Sequence, residues 1–149
     1  MHHNEACDDS GNPRNCGFGH RVAAFDDSTM QLQDVSFFYG GQAGLEHPAV
    51  LLQDLGATES YIRRCSMSYN MQQGVAVRGT TTGVNFTDNV VYQSFDASTV
   101  EVMPPGNRIE GNLALGTTFV SEGKSIFITF IWATFEVAVG NVVRGNVAA

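Results

Sequence analysis

The sequence predicts an all-β chain folded as a right-handed parallel β-helix of about five rungs. Three observations carry that reading. First, one pattern recurs. Residues 84–91 (VNFTDNVV), 107–114 (NRIEGNLA) and 141–148 (NVVRGNVA) each place apolar residues two apart, then Asn, then apolar residues again. Residues 60–67 (SYIRRCSM) repeat it with Cys in the Asn slot, and residues 30–37 (MQLQDVSF) more loosely with Val there. Second, the shared slot falls at Val35, Cys65, Asn89, Asn112 and Asn146, in steps of 30, 24, 23 and 34 residues. A repeat of this length marks one supersecondary unit that cannot bury its own face and is completed by its neighbours. Third, no window sustains apolar residues at three-and-four spacing for three turns, so helical periodicity is absent.

Taken in order, residues 1–20 read as an N-terminal loop segment and residues 21–149 as β-helix repeats. Each rung after the first carries an earlier strand ahead of the slot: Val50-Leu51-Leu52, Val75-Ala76-Val77, Val100-Glu101-Val102 and Phe135-Glu136-Val137-Ala138-Val139. These runs are short, β-branched and bounded by Gly, Pro or Asn, as strands are. The steps of 23 and 24 residues are bare rungs. The longer steps carry loops that bulge from the coil, the last of them an insertion near 117–131. Asn suits the slot for two reasons. It tolerates the left-handed backbone that a corner demands. Stacked at strand spacing, its amides can also bond from rung to rung, so that their burial is satisfied. Val35, Cys65, Asn89, Asn112 and Asn146 are therefore expected in one inward or corner column. Outside the coil, Asp34, Arg64 and Asp88 are expected to stack with alternating sign, and Glu110 to lie beside Arg144. Such pairs fix register, because a slipped rung would oppose like charges.

Composition narrows the partners. A net charge of −7, with 8 scattered Lys and Arg residues, argues against nucleic acid. The longest apolar run, residues 126–135, is interrupted by Thr and too short to cross a bilayer, so no direct membrane insertion is expected. With 43% hydrophobic residues, 15% charged and 16 glycines, the chain reads as one β-rich domain. No signal peptide opens it, and it stops directly on a rung; it reads as a fragment of a longer chain.

Three cysteines are present. Cys7 and Cys16 flank a loop of turn residues, and a disulfide between them is expected in an oxidising compartment. Cys65, in an inward slot, is expected as a buried free thiol. No metal or other cofactor is expected. Zinc held by Cys7, Cys16, His2, His3 and His20 lacks a Cys-x-x-Cys pair, and calcium at Asp8, Asp9, Asn12 and Asn15 lacks the required loop pattern. Asn85-Phe86-Thr87 is an N-glycosylation sequon with Asn85 pointing outward, which agrees with an extracellular site.

The order of several strings resembles the parallel β-helix region of the fibrocystin and fibrocystin-L family. They are Cys16-Gly17-Phe18-Gly19-His20-Arg21-Val22, the run from Leu32 to Gly44, Ser60-Tyr61-Ile62-Arg63-Arg64-Cys65, Gly74-Val75-Ala76-Val77-Arg78-Gly79-Thr80, Asn107-Arg108-Ile109-Glu110-Gly111-Asn112-Leu113 and Trp132-Ala133-Thr134-Phe135-Glu136-Val137. The resemblance runs from about Cys16 onward and is weaker over the insertion. It implies an internal piece of a very large, membrane-anchored receptor-like protein at a cell or ciliary surface. Its implied partners are other segments of the same protein, surface-coat proteins and glycans.

Because β-helices also host polysaccharide lyases and hydrolases, an enzyme is the competing reading. Such chemistry needs two or three carboxylates, or a carboxylate with Lys or Arg, on one outer face of adjacent rungs. Asp26-Asp27 lies in a turn with no second acid in its column. Glu101 and Glu136 share an outward column, with no basic residue beside them by register, and read as solvated strand-face charges. The aromatics Phe37, Phe38, Tyr39, Tyr61, Tyr69 and Tyr92 fall mostly at rung ends and read as core or loop packing. The expectation is a non-catalytic extracellular scaffold or adhesion segment. The alternative is a β-helix that binds or cleaves a hyaluronan- or pectin-type polysaccharide along the Glu101/Glu136 face.

Overall fold

A computed structural model describes residues 19–42, 47–94, 98–116 and 133–149. Among them are fifteen strands and no helix. The first rung holds β1 (Val22–Phe25), β2 (Gln31–Gln33) and β3 (Ser36–Phe38). The second holds β4 (Val50–Gln53), β5 (Tyr61–Arg63) and β6 (Ser66–Asn70). The third holds β7 (Val75–Arg78), β8 (Asn85–Thr87) and β9 (Val90–Ser94). The fourth holds β10 (Ser98–Val102), β11 (Arg108–Glu110) and β12 (Leu113–Leu115). The fifth holds β13 (Ala133–Val137), β14 (Val142–Arg144) and β15 (Val147–Ala148). Corresponding strands pair in parallel into three five-stranded sheets, β1-β4-β7-β10-β13, β2-β5-β8-β11-β14 and β3-β6-β9-β12-β15. The chain is a parallel β-helix of five rungs.

Each short strand turns alternate residues inward, and parallel register stacks them into apolar columns. In the second sheet Leu32, Ile62, Phe86, Ile109 and Val143 lie in line. In the third, Phe37, Met67, Val91 and Ala114 do the same. In the first, Val50, Val75 and Val100 form one column and Leu52, Val77 and Val102 another. From the second to the fourth rung these residues are buried and form one core. The outward residues Leu51 and Ala76 of the first sheet are also buried. At those two rungs the sheet is covered on both faces, and β4 and β7 open as continuous apolar runs rather than alternating ones. The sequence reading missed β1, where Val22-Ala23-Ala24-Phe25 lacks the β-branched density of its partners.

The corners correct one expectation. The left-handed residue between the second and third sheets is the one before the slot, at φ of 56° for Asp34, 50° for Arg64, 56° for Asp88 and 64° for Gly111 and Gly145. The slot residue itself turns inward. A left-handed backbone strains most side chains, so glycine takes over that position in the fourth and fifth rungs.

Candidate functional site

The polar groups of the coil concentrate at its corners and on its outer faces. Asn89, Asn112 and Asn146 stack inward on consecutive rungs. The Oδ1 of each accepts the backbone N–H of the slot residue one rung below: Cys65 to Asn89, Asn89 to Asn112 and Asn112 to Asn146, all at 2.9 Å. Each Nδ2 donates to a backbone carbonyl in the rung below, to Ile62 at 2.8 Å, Phe86 at 2.9 Å and Ile109 at 2.8 Å. Along the column Asn89 Nδ2 also donates to Asn112 Oδ1 at 3.0 Å, and Asn112 Nδ2 to Asn146 Oδ1 at 2.9 Å. Buried amides are thus satisfied wholly by neighbouring rungs. In the lower rungs Val35 is half-buried in the same column, and Cys65 is a buried free thiol whose Sγ donates to the Arg63 carbonyl at 3.3 Å.

A second ladder, which sequence reasoning missed, runs along the corner between the first and second sheets. Asn107 Oδ1 accepts from the Val84 N–H at 2.9 Å, and Asn141 Oδ1 from the Asn107 N–H at 2.8 Å. Ser60 Oγ does the same for the Met30 N–H at 2.9 Å. The signal was present as a second Asn five residues ahead of the first, at 107 with 112 and at 141 with 146.

The outer faces hold ion pairs between rungs. Arg64 grips Asp34 with two bonds, Nε to Oδ1 at 2.8 Å and Nη2 to Oδ2 at 2.9 Å. Glu110 lies between Arg144 on the rung above and Arg108 on its own strand. Desolvation pushes the Glu110 carboxyl up, but the bonds from Arg144 and Arg108 outweigh it and hold it below its usual value. The Arg64 bond, helped by Gln33, lowers Asp34 from 3.8 to about 2. A depressed acid contributes stability above its unfolded pKa and loses it as pH falls through the folded one. For Asp34 that window lies between 3.8 and about 2. An NMR titration of the Asp34 carboxyl is expected to show a midpoint near 2 in the wild type and a return toward 3.8 in Arg64→Gln.

Glu101 and Glu136 are register neighbours on β10 and β13. The expectation that no basic residue accompanies them is corrected. Arg78, at the end of β7, donates Nε to Glu101 Oε1 at 2.5 Å and Nη2 to Oε2 at 3.1 Å. Gln73 Nε2 adds a bond at 3.3 Å. The Glu101 side chain is only 12% exposed, so it is not the solvated charge that its strand position suggested, whereas Glu136 is exposed. Both Glu101 oxygens accept from the guanidinium. Asp26 has an acidic neighbour after all. Asp54 follows Gln53, the register partner of Phe25, so the two aspartates share a column. Asp54 instead accepts from Gln53 and from the Thr80 N–H. Among the described residues no group of three or more His, Cys, Asp or Glu side chains could hold a metal ion.

Asn85 opens β8 with an exposed side chain, flanked in register by Tyr61 and Arg108. Together with Arg63, Thr87, Asp88 and Glu110 these residues line a shallow groove of about 390 Å³ on the second sheet. Arg63 stacks on Tyr61, its guanidinium carbon 4.5 Å from the ring centroid. Of the other aromatics, Phe37 is core. Phe38, Tyr39 and Tyr69 are exposed, against the packing role expected for them. Tyr39 stacks on Tyr69 at 5.7 Å, and Tyr69 meets Tyr92 edge-on at 5.5 Å. Tyr39 and Tyr69 occupy left-handed corner positions, at φ of 56° and 58°, and so stand off the coil. The expected Cys7–Cys16 bridge, the acidic loop between those cysteines and the 117–131 insertion lie outside the described residues.

No protein-family model, curated protein or solved structure matches this chain.

Proposed function

We infer that the chain is a non-catalytic scaffold or adhesion segment, an internal length of β-helix in a large extracellular protein of the fibrocystin-like kind. The observation that carries this reading is the use of its polar groups. The asparagines of two corners, Asp34, Glu101 and Glu110 all bond to other rungs. A coil built this way resists bending and shear between rungs, which is what a spacer or adhesion surface requires. The exposed sequon at Asn85 supports an extracellular location, at a cell or ciliary surface.

A second reading, glycan binding without cleavage, is favoured by one observation. The groove on the second sheet combines Tyr61, Arg63, Asn85 and Thr87, side chains suited to the faces and hydroxyls of sugar rings.

Incubation of the protein with hyaluronan, pectin and uronate polymers tests the scaffold reading. Glycosidic cleavage needs two carboxyls about 5–10 Å apart with one held protonated. Polymer size is expected to stay unchanged. Depolymerisation that disappears in Glu101→Gln or Glu136→Gln would overturn the scaffold and make the chain a glycan-cleaving enzyme.

A further inference from the structure

Of the seven asparagines among the described residues, six bond within the coil. Asn70 donates to Ser94, Asn89, Asn112 and Asn146 bond along one corner, and Asn107 and Asn141 along another. The seventh, Asn85, is exposed, and its side-chain amide meets no partner among the described residues. Phe86 beside it is buried, so alternation along β8 turns Asn85 and Thr87 together onto the outer face. Those are the two residues that an N-glycosylation acceptor requires.

The same side chain stands in the middle of the groove on the second sheet. In register, Tyr61 lies one rung below and Arg108 one rung above, each about 4.8 Å away along the coil. A sugar joined to Asn85 therefore has an aromatic ring on one side and a guanidinium on the other. Arg63 fixes the ring: its guanidinium carbon is 4.5 Å from the Tyr61 centroid, and its Nε donates to Gln33 at 2.6 Å. A ring already ordered costs less entropy to pack against. Arg108 pairs with Glu110, yet its side chain is 51% exposed and has further N–H donors for hydroxyl and acetamido oxygens. The groove, about 390 Å³, is near the bottom of the range of about 300–1,000 Å³ for small-ligand sites. That suits one sugar residue better than a length of polymer.

We propose that Asn85 is N-glycosylated and that the innermost N-acetylglucosamine of its glycan fills this groove, packed on Tyr61 and bonded by Arg108. The proposal rests on the extracellular reading, and it makes the sugar of the groove the chain's own. Attachment joins C1 of the sugar to Asn85 Nδ2. The bond from C1 to the pyrophosphate of a lipid-linked oligosaccharide donor breaks, and the leaving pyrophosphate takes the proton that the amide loses.

The test produces the full chain in a eukaryotic cell behind a cleavable secretion leader. Amidase treatment in heavy-oxygen water converts a glycosylated asparagine into isotope-marked aspartate, which mass spectrometry reads in cells and medium alike. Most copies are expected to carry the mark at residue 85, and none in Thr87→Ala. Unmarked Asn85 in secreted protein would overturn the site and leave the extracellular reading standing. Marked Asn85 in protein retained by the cell would support the site and count against the extracellular reading alone. The groove is tested on chains trimmed by endoglycosidase to a single N-acetylglucosamine. Their thermal midpoint is expected about 2–4 °C above that of Asn85→Gln, a gain that vanishes in the Tyr61→Ala background. NMR of the trimmed wild type is expected to show Overhauser contacts between sugar and Tyr61 ring protons. Absence of those contacts, or an equal gain in Tyr61→Ala, would mean a sugar that projects into solvent and would overturn its place in the groove.

Discussion

Asn112→Leu is expected to destabilise the protein by about 1–3 kcal/mol, because it leaves a buried backbone N–H without its partner. Asn112 is almost wholly buried. Its Oδ1 accepts from the Asn89 N–H and Nδ2, and its Nδ2 donates to the Phe86 carbonyl and to Asn146 Oδ1. Leucine has similar bulk, so the loss would report bonding and not a void. Removal of the side chain orphans the buried Asn89 N–H and takes a second bond from the Phe86 carbonyl, which its strand pairing still holds. Urea unfolding is expected to show a lower midpoint with an unchanged slope, because the surface exposed on unfolding stays the same.

Phe86→Ala is expected to cost about 3–5 kcal/mol, the usual range for emptying an aromatic site in a core. Among the described residues Phe86 is the largest fully buried side chain, and it sits on the middle rung between Ile62 and Ile109. Strands above and below are held at hydrogen-bonding distance by the ladders, so the coil cannot collapse into the gap. The same urea experiment measures the loss. A cost under about 1 kcal/mol would mean that the centre of the coil is loosely packed.

The fold was legible because a β-helix repeats its own solution. Asn89 and Asn112 lie one bare rung apart, and the valine-rich strands at 75–77 and 100–102 sit in step with them. Side chains that answer to direct register neighbours could be read in the same way, as with Arg64 on Asp34 and Arg144 beside Glu110. Other features resisted. Arg78 reaches Glu101 diagonally: Val77 is level with Val102, so Arg78 lies two positions along the strand from the glutamate's own neighbour, Ala76. Only a long side chain covers that span, and direct pairing does not anticipate it. Residue preference points to Asn at the left-handed corner, because Asn tolerates that region, yet Arg64 adopts it at φ of 50°. Stacking fixes the corner backbone there more firmly than residue preference does. The exposure of Tyr39 and Tyr69 follows from the same cause at the next corner.

The central claim is that corner asparagines bond the rungs to one another and that this is what the polar residues of the coil are for. A double-mutant cycle on Asn89→Ala and Asn112→Ala measures it most directly. If the two amides bond as the ladder has them, the double variant loses less than the sum of the single losses, with a coupling of about 1 kcal/mol or more. Losses that add to within about 0.3 kcal/mol would show that the two side chains act independently, and would contradict the ladder.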